Sequence, residues 1–195
     1  WSAAETNAVP GTVLADKGHL ANLDVQVSAF CDDTRDAVKG DLWSEDAAGF
    51  VNGGGLDAER LACCVKGWAG CTEGGAKAPS QTVNYLSCHD DWTLWDRLVM
   101  TGDPERRFHL CQPELLRQNR LAAAVNFTCQ GHLFFLSGEE FARTKGGVKN
   151  TYASPVEVNR LDWSRAWENR ELVEYYRGLL ALRMRLPGLR DKTPE

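Results

Sequence analysis

The chain has little of what a membrane or a nucleic-acid partner would require. No stretch of its 195 residues approaches the roughly 18 consecutive apolar positions of a membrane-spanning helix. Its opening residues, Trp1-Ser2-Ala3-Ala4-Glu5, lack the basic segment and apolar core of a secretory leader. No membrane partner is expected. Cationic residues are in the minority, 22 Lys and Arg against 27 Asp and Glu, for a formal net charge of -5. General phosphate-backbone binding depends on clustered cations that displace counterions, so nucleic acid is not an expected partner either. Low-complexity tracts are absent, and Gly53-Gly54-Gly55 and the passage 70–79 read as flexible loops.

Paired C-x-x-C spacing is also missing. The seven cysteines are an odd number, so at least one stays unpaired, and this favours a reducing compartment and a cytoplasmic setting. Cys63, Cys64 and Cys71, with Cys88-His89 further on, form the one grouping of metal-ligand type. Cys63 and Cys64 are adjacent, however, which does not suit a zinc site. These residues are expected to be small free thiols. No acidic calcium loop of the D-x-[DN]-x-[DN]-G kind is present. No metal and no cofactor are expected.

What is present suits one folded α/β unit. Hydrophobic residues make up 43% and charged residues 25%, ordinary values for a globular domain with a sizeable core. Val25 to Phe30 and Thr82 to Leu86 have strand character, and Leu133-Phe134-Phe135-Leu136 is apolar throughout, as in a parallel strand buried on both faces. Between and after them come helical stretches. Leu56 to Val65 is short; a long stretch after the second strand has Pro113 suited to a first turn and ends near Cys129-Gln130-Gly131. The last runs through Leu172, Val173, Tyr176, Leu179 and Leu180, with Arg183 and Arg185 near its C-terminal end. Three β-α units in a row predict a parallel sheet. Periodicity alone leaves open a doubly wound sheet or a barrel segment. Either would put its chemistry at the C-terminal strand ends, here Cys31-Asp32-Asp33, His89-Asp90-Asp91 and Glu139-Glu140.

The string Val83-Asn84-Tyr85-Leu86-Ser87-Cys88-His89-Asp90-Asp91-Trp92-Thr93-Leu94-Trp95-Asp96 resembles the fourth conserved region of glycoside hydrolase family 13 in its pullulanase form. Further matches follow the family's order. Phe30-Cys31-Asp32 with Arg35-Asp36 and Lys39-Gly40 resembles its sixth-strand segment, and Gly49-Phe50-Val51 comes shortly after. Gln130-Gly131, Phe134-Phe135, Gly138-Glu139-Glu140 and Arg143-Thr144-Lys145 resemble the eighth strand and its loop. Asn150-Thr151-Tyr152, Val158-Asn159 and Asp162-Trp163-Ser164 resemble the loop beyond. The sequence departs from the family at several points. Cys31 and Asp91 stand where it usually has Asn, Gly131-His132-Leu133 replaces a Gly-Ile-Pro or Gly-Val-Pro, and Val156 takes a commonly acidic position.

The resemblance implies an α/β fold, a partial (β/α)8 TIM barrel with roughly the last three β-α units. Residues 1–195 would then be the C-terminal part of a catalytic barrel, an incomplete domain. It implies a retaining hydrolase of α-1,6 branch linkages in pullulan, starch or glycogen, with an α-glucan as partner. Asp90 matches the family's transition-state-stabilising carboxylate, and His89 matches a histidine that binds hydroxyls of the same sugar. Trp92, Tyr152 and Asn159 are candidate sugar contacts. Trp1 falls just past the family's general acid, so that acid and the nucleophile would lie upstream with the rest of the barrel, and Glu5 is in no motif to replace either. Glu139 and Glu140 look like an acid/base pair, but neighbours on an extended chain point opposite ways, so a structural or charge-network role is expected. Asp32, Arg35 and Asp36 are expected to form a supporting salt-bridged network. The alternatives are another member of the superfamily, such as an isoamylase or branching enzyme, and a non-catalytic α-glucan-binding relic.

Overall fold

The computed structural model describes residues 10–11, 16–71 and 75–193, so Trp1 and Glu5 lie outside the described residues. Three short strands, β1 (Ala29–Cys31), β2 (Thr82–Asn84) and β3 (His132–Leu133), form a parallel sheet in the order β1-β2-β3. Phe30 sits opposite Val83, and Asn84 opposite Leu133. The third strand is shorter than its apolar run predicts. One more rung continues it, Phe134 N–H donating to Asn84 O at 2.9 Å, before the chain turns away. The run is half-buried rather than buried on both faces as expected, although it packs on both sides. Phe134 packs edge-on against Phe30, while Phe135 packs against Phe127 and Tyr176.

Helices fill the connections. α1 (Asp32–Lys39) starts directly from β1, with Asp32 and Asp33 in its first turn, where carboxylates favour the helix dipole. It stops at Gly40, whose φ is 88°; a Cβ there would meet Ala47 O at 2.2 Å. α2 (Ala58–Val65) is capped by Asp57, which accepts Arg60 N–H at 3.0 Å. The stretch after β2 is two helices, α3 (Leu94–Gly102) and α4 (Pro113–Thr128), separated at Asp103-Pro104. Thr93 caps α3 by accepting Asp96 N–H at 3.0 Å, and Pro113 opens α4. Two short helices unforeseen from the sequence, α5 (Val156–Asn159) and α6 (Trp163–Glu168), precede α7 (Arg170–Arg185). Among the described residues no helix is long and apolar enough to cross a membrane.

The main core lies between the sheet and α3, α4 and α7, where Leu98, Leu115, Phe127, Leu172 and Tyr176 are buried. A smaller cluster around Trp68, Cys64 and Cys129 fills the space by α2. Buried polar groups join these layers. Trp68 Nε1 donates to Thr34 Oγ1, Thr34 donates to Asn84 Oδ1 (each 2.9 Å), and Asn84 Nδ2 donates to Gln130 O at 2.6 Å. Arg183 does more than complement its own helix end. Its buried guanidinium donates to Phe127 O, Cys129 O and Gly131 O at 2.6–2.9 Å, satisfying carbonyls at and just beyond the end of α4.

The cysteine expectation needs one correction. Cys63 and Cys71 form a disulfide, because the turn after α2 brings their Cα atoms to 6.0 Å. Cys31, Cys64, Cys88, Cys111 and Cys129 are free.

Candidate active site

The three strands point their C-terminal ends at one side of the sheet. There a cleft of about 160 Å³ is lined by residues from each of the first two units, including Asp32, Arg35, Lys39, Leu42, Tyr85, Asp90, Asp91 and Trp92.

One wall is a charge network on α1, as the sequence predicts. Asp32 accepts from Arg35 at 3.0 Å, from Tyr85 Oη at 2.6 Å and from Lys17 at 2.6 Å, while Arg35 Nε donates to Asp36 at 2.6 Å. Burial pushes the Asp32 carboxyl up, but the bonds from Lys17 and Tyr85 and the Arg35 charge outweigh it and hold it below the usual range. Burial, reinforced by the bond to Asp32, pushes the Tyr85 phenol far up, so it stays a donor.

The second wall is the tip of the β2 unit. His89 and Asp90 are mostly exposed, with side-chain exposures of 84% and 58%, and His89 Nε2 lies 3.2 Å from Asp90 Oδ1. Half-buried Cys88 and exposed His89 and Asp90, in consecutive positions, hold three ligand-type atoms within 4.8 Å of one another. Trp92 lies behind them. It is 5% exposed, its indole N–H donates to Gly147 O at 3.0 Å, and the Arg97 guanidinium and Lys149 ammonium lie against its ring. Little of that ring is left for a sugar to stack upon.

The β3 loop supplies the support. Lys145 Nζ donates to His89 O at 3.3 Å and to Thr151 Oγ1 at 2.8 Å, so one buried ammonium joins the His89 turn to the Tyr152 turn. Asn159 closes the second turn: its Oδ1 accepts from Thr151 Oγ1 at 2.6 Å and its Nδ2 donates to Thr151 O at 2.8 Å. Both ends of the Asn159 amide are occupied within the protein. Tyr152, by contrast, is 88% exposed.

Glu139 and Glu140 are parted in role as well as direction. Glu139 is buried and accepts Leu136 N–H at 2.5 Å; Glu140 accepts Gly138 N–H at 2.8 Å. Burial raises the Glu139 carboxyl to about 8, opposed by Leu136 N–H and by the positive charge of Lys39. Burial likewise lowers the Lys39 ammonium, to about 8, with Glu139 opposing the shift. Lys39 lines the cleft floor and was legible only as part of the Lys39-Gly40 string. Lys145 was legible only within Arg143-Thr144-Lys145, and Lys149 carried no signal.

A parallel sheet with carboxylates and a histidine gathered at its C-terminal edge defines an α/β protein of the kind whose site is built on strand-end loops. No protein-family model matches the chain. It is 38% identical to a pullulanase of Bacillus subtilis over 176 residues, which is 86% of this chain and 23% of that protein. Among solved structures it resembles the pullulanase of Paenibacillus barengoltzii, in a complex with maltohexaose and α-cyclodextrin, with 40% identity and a TM-score of 0.77 over 86% of this chain and 26% of that one. It also resembles the pullulanase of Bacillus acidopullulyticus, with 32% identity and a TM-score of 0.78 over 86% of this chain and 20% of that one. The chain belongs to the pullulanase family, type I, and spans about a quarter of the length of the relatives it matches.

Proposed function

We propose that residues 1–195 are part of the catalytic domain of a retaining debranching hydrolase, contributing roughly the last three β-α units of a (β/α)8 barrel. The reaction is hydrolysis of α-1,6 glucosidic linkages in pullulan, starch or glycogen. Asp90 favours the positive charge that develops on the sugar ring in the oxocarbenium-like transition state, and His89 binds hydroxyls of that ring. Tyr152, an exposed ring on the neighbouring turn, offers a face to a further glucose unit. Asn159 acts through the turn that carries Tyr152, and Trp92 forms a packed wall.

The observation that supports this reading is Asp90 on the wall of the cleft beyond β2; the exposed His89 imidazole lies 3.2 Å from it but does not itself line that cleft. A retaining mechanism also needs a nucleophile and a general acid about 5–5.5 Å apart. Among the described cleft carboxylates none is free to join Asp90 in such a pair: Asp32 is held by Lys17, Arg35 and Tyr85, and Asp91 lies 3.2 Å from Lys149. The two bond-breaking groups are therefore assigned to another stretch of the polypeptide, and the 195-residue chain alone should not turn over pullulan.

The test is product analysis with the full-length polypeptide on pullulan, amylose and branched glucan. Maltotriose from pullulan, with amylose untouched, is the expected result. Cleavage of branched glucan without pullulan would mark an isoamylase-type enzyme, binding without turnover a non-catalytic relic, and either would overturn the reading.

A further inference from the structure

Asp91 follows Asp90 in the chain and takes a left-handed conformation, φ 57°, that turns its side chain onto the cleft wall. A second carboxylate there needs a counter-charge, since like charges on neighbouring residues repel and an unpaired one draws in water. Lys149 supplies it. Its Nζ lies 3.2 Å from Asp91 Oδ1, 4.5 Å from the centroid of the Trp92 ring, and donates to Leu42 O at 2.9 Å. Leu42, Asp91 and Trp92 all line the cleft. A second link repeats the connection through the backbone, Asp91 N–H donating to Asn150 Oδ1 at 3.1 Å. One ammonium from the β3 loop thus holds together the α1 loop, the charged turn and its aromatic backing.

We infer that Lys149 is a positioning residue: by neutralising Asp91 and fixing the 89–92 turn, it leaves Asp90 as the carboxylate presented to the sugar. This inference rests on the proposed role of Asp90. Lys145 holds the same turn from behind by its bond to His89 O, while Asp91 is paired with Lys149. Lys149 and Lys145 therefore act on different ends of the turn. A displacement of the order of 1 Å at a reacting group is enough to slow catalysis severely.

The test is a double-mutant cycle in the full-length enzyme, read as kcat and KM on pullulan. Lys149→Met should lower kcat about tenfold and change KM less than about twofold, the pattern of an interaction made in the transition state. Adding Asp91→Asn removes the stranded charge and should bring kcat back to within about threefold of wild type, a non-additive result expected for residues in direct contact. Lys149→Arg should retain most of the activity. Wild-type kcat in Lys149→Met, or losses in the double variant equal to the product of the single losses, would overturn the inference. Amide hydrogen exchange across 89–92 separates this from failure of the Asp90 role. Faster exchange in Lys149→Met, restored by Asp91→Asn, supports the clasp even if Asp90→Asn proves fully active, and unchanged exchange counts against it.

Discussion

The Asp96 carboxylate, in the first turn of α3, accepts the backbone N–H of Lys145 at 2.9 Å and the hydroxyl of Thr144. Asp96 is fully buried, so this contact fastens the β3 loop to the helix that begins just past the His89–Asp90 turn. Burial raises its carboxyl, and the bonds from Thr144 and Lys145 work against that shift. Asp96→Ala strands two buried donors and should cost about 2–4 kcal/mol, measured as a fall in the urea unfolding midpoint without a change in m-value.

Glu139 makes a pH-dependent contribution of definite sign. Its folded-state carboxyl is raised from 4.5 to about 8, so the folded form holds the proton more tightly than the unfolded form. Its stabilisation is complete below about pH 4.5 and is lost as pH rises through about 8. Lys39, lowered from 10.5 to about 8, acts in the opposite sense: its stabilisation is present above about pH 10.5 and is lost as pH falls through about 8. Glu139→Gln should therefore flatten the decline in stability between pH 5 and pH 8, measured by denaturant unfolding at each pH. A slope equal to that of the wild type would contradict the assignment.

Asn159 spends its whole amide on Thr151, so its effect on a glucan should be indirect. Asn159→Ala removes two hydrogen bonds of about 1 kcal/mol each and should loosen the turn under Tyr152. Hydrogen exchange should quicken across residues 150–159, and KM for oligosaccharide should rise while kcat changes little. A large fall in kcat with unchanged KM would instead place Asn159 at the reacting sugar.

Much of this was legible in the sequence because local signals agreed with one another. A parallel sheet follows from apolar runs separated by helical periods, and Pro113 marks the start of α4. The supporting roles of Glu139 and Glu140 and the Asp32–Arg35–Asp36 network agree with expectation, but the backbone under each does not: Glu139 and Glu140 lie in a 3-10 turn rather than on an extended chain, and α1, which carries the network, has no counterpart among the helices read from the sequence. What was not legible depends on distant residues. The third strand ends at Leu133 although Phe134 and Phe135 are equally apolar, because their partners, Phe30 on one side and Phe127 and Tyr176 on the other, draw them into packing rather than pairing. The packing of Trp92, a candidate sugar contact by sequence, against Gly147 and Lys149 depends on residues more than 50 positions away. Lys149 lies 58 positions from Asp91, and nothing in its neighbours Val148 and Asn150 announces the pairing. The Cys63–Cys71 bond likewise depends on the turn after α2.

The account turns on Asp90 as the group that steadies positive charge on the sugar, and the turnover of pullulan by Asp90→Asn in the full-length enzyme tests it most directly. Asn keeps the size and shape of the side chain and removes the charge, so folding, followed by circular dichroism, should be unchanged. The account predicts a fall in kcat of about 100-fold or more, the scale on which one preorganised electrostatic group acts. A folded Asp90→Asn enzyme with kcat within about threefold of wild type would contradict it.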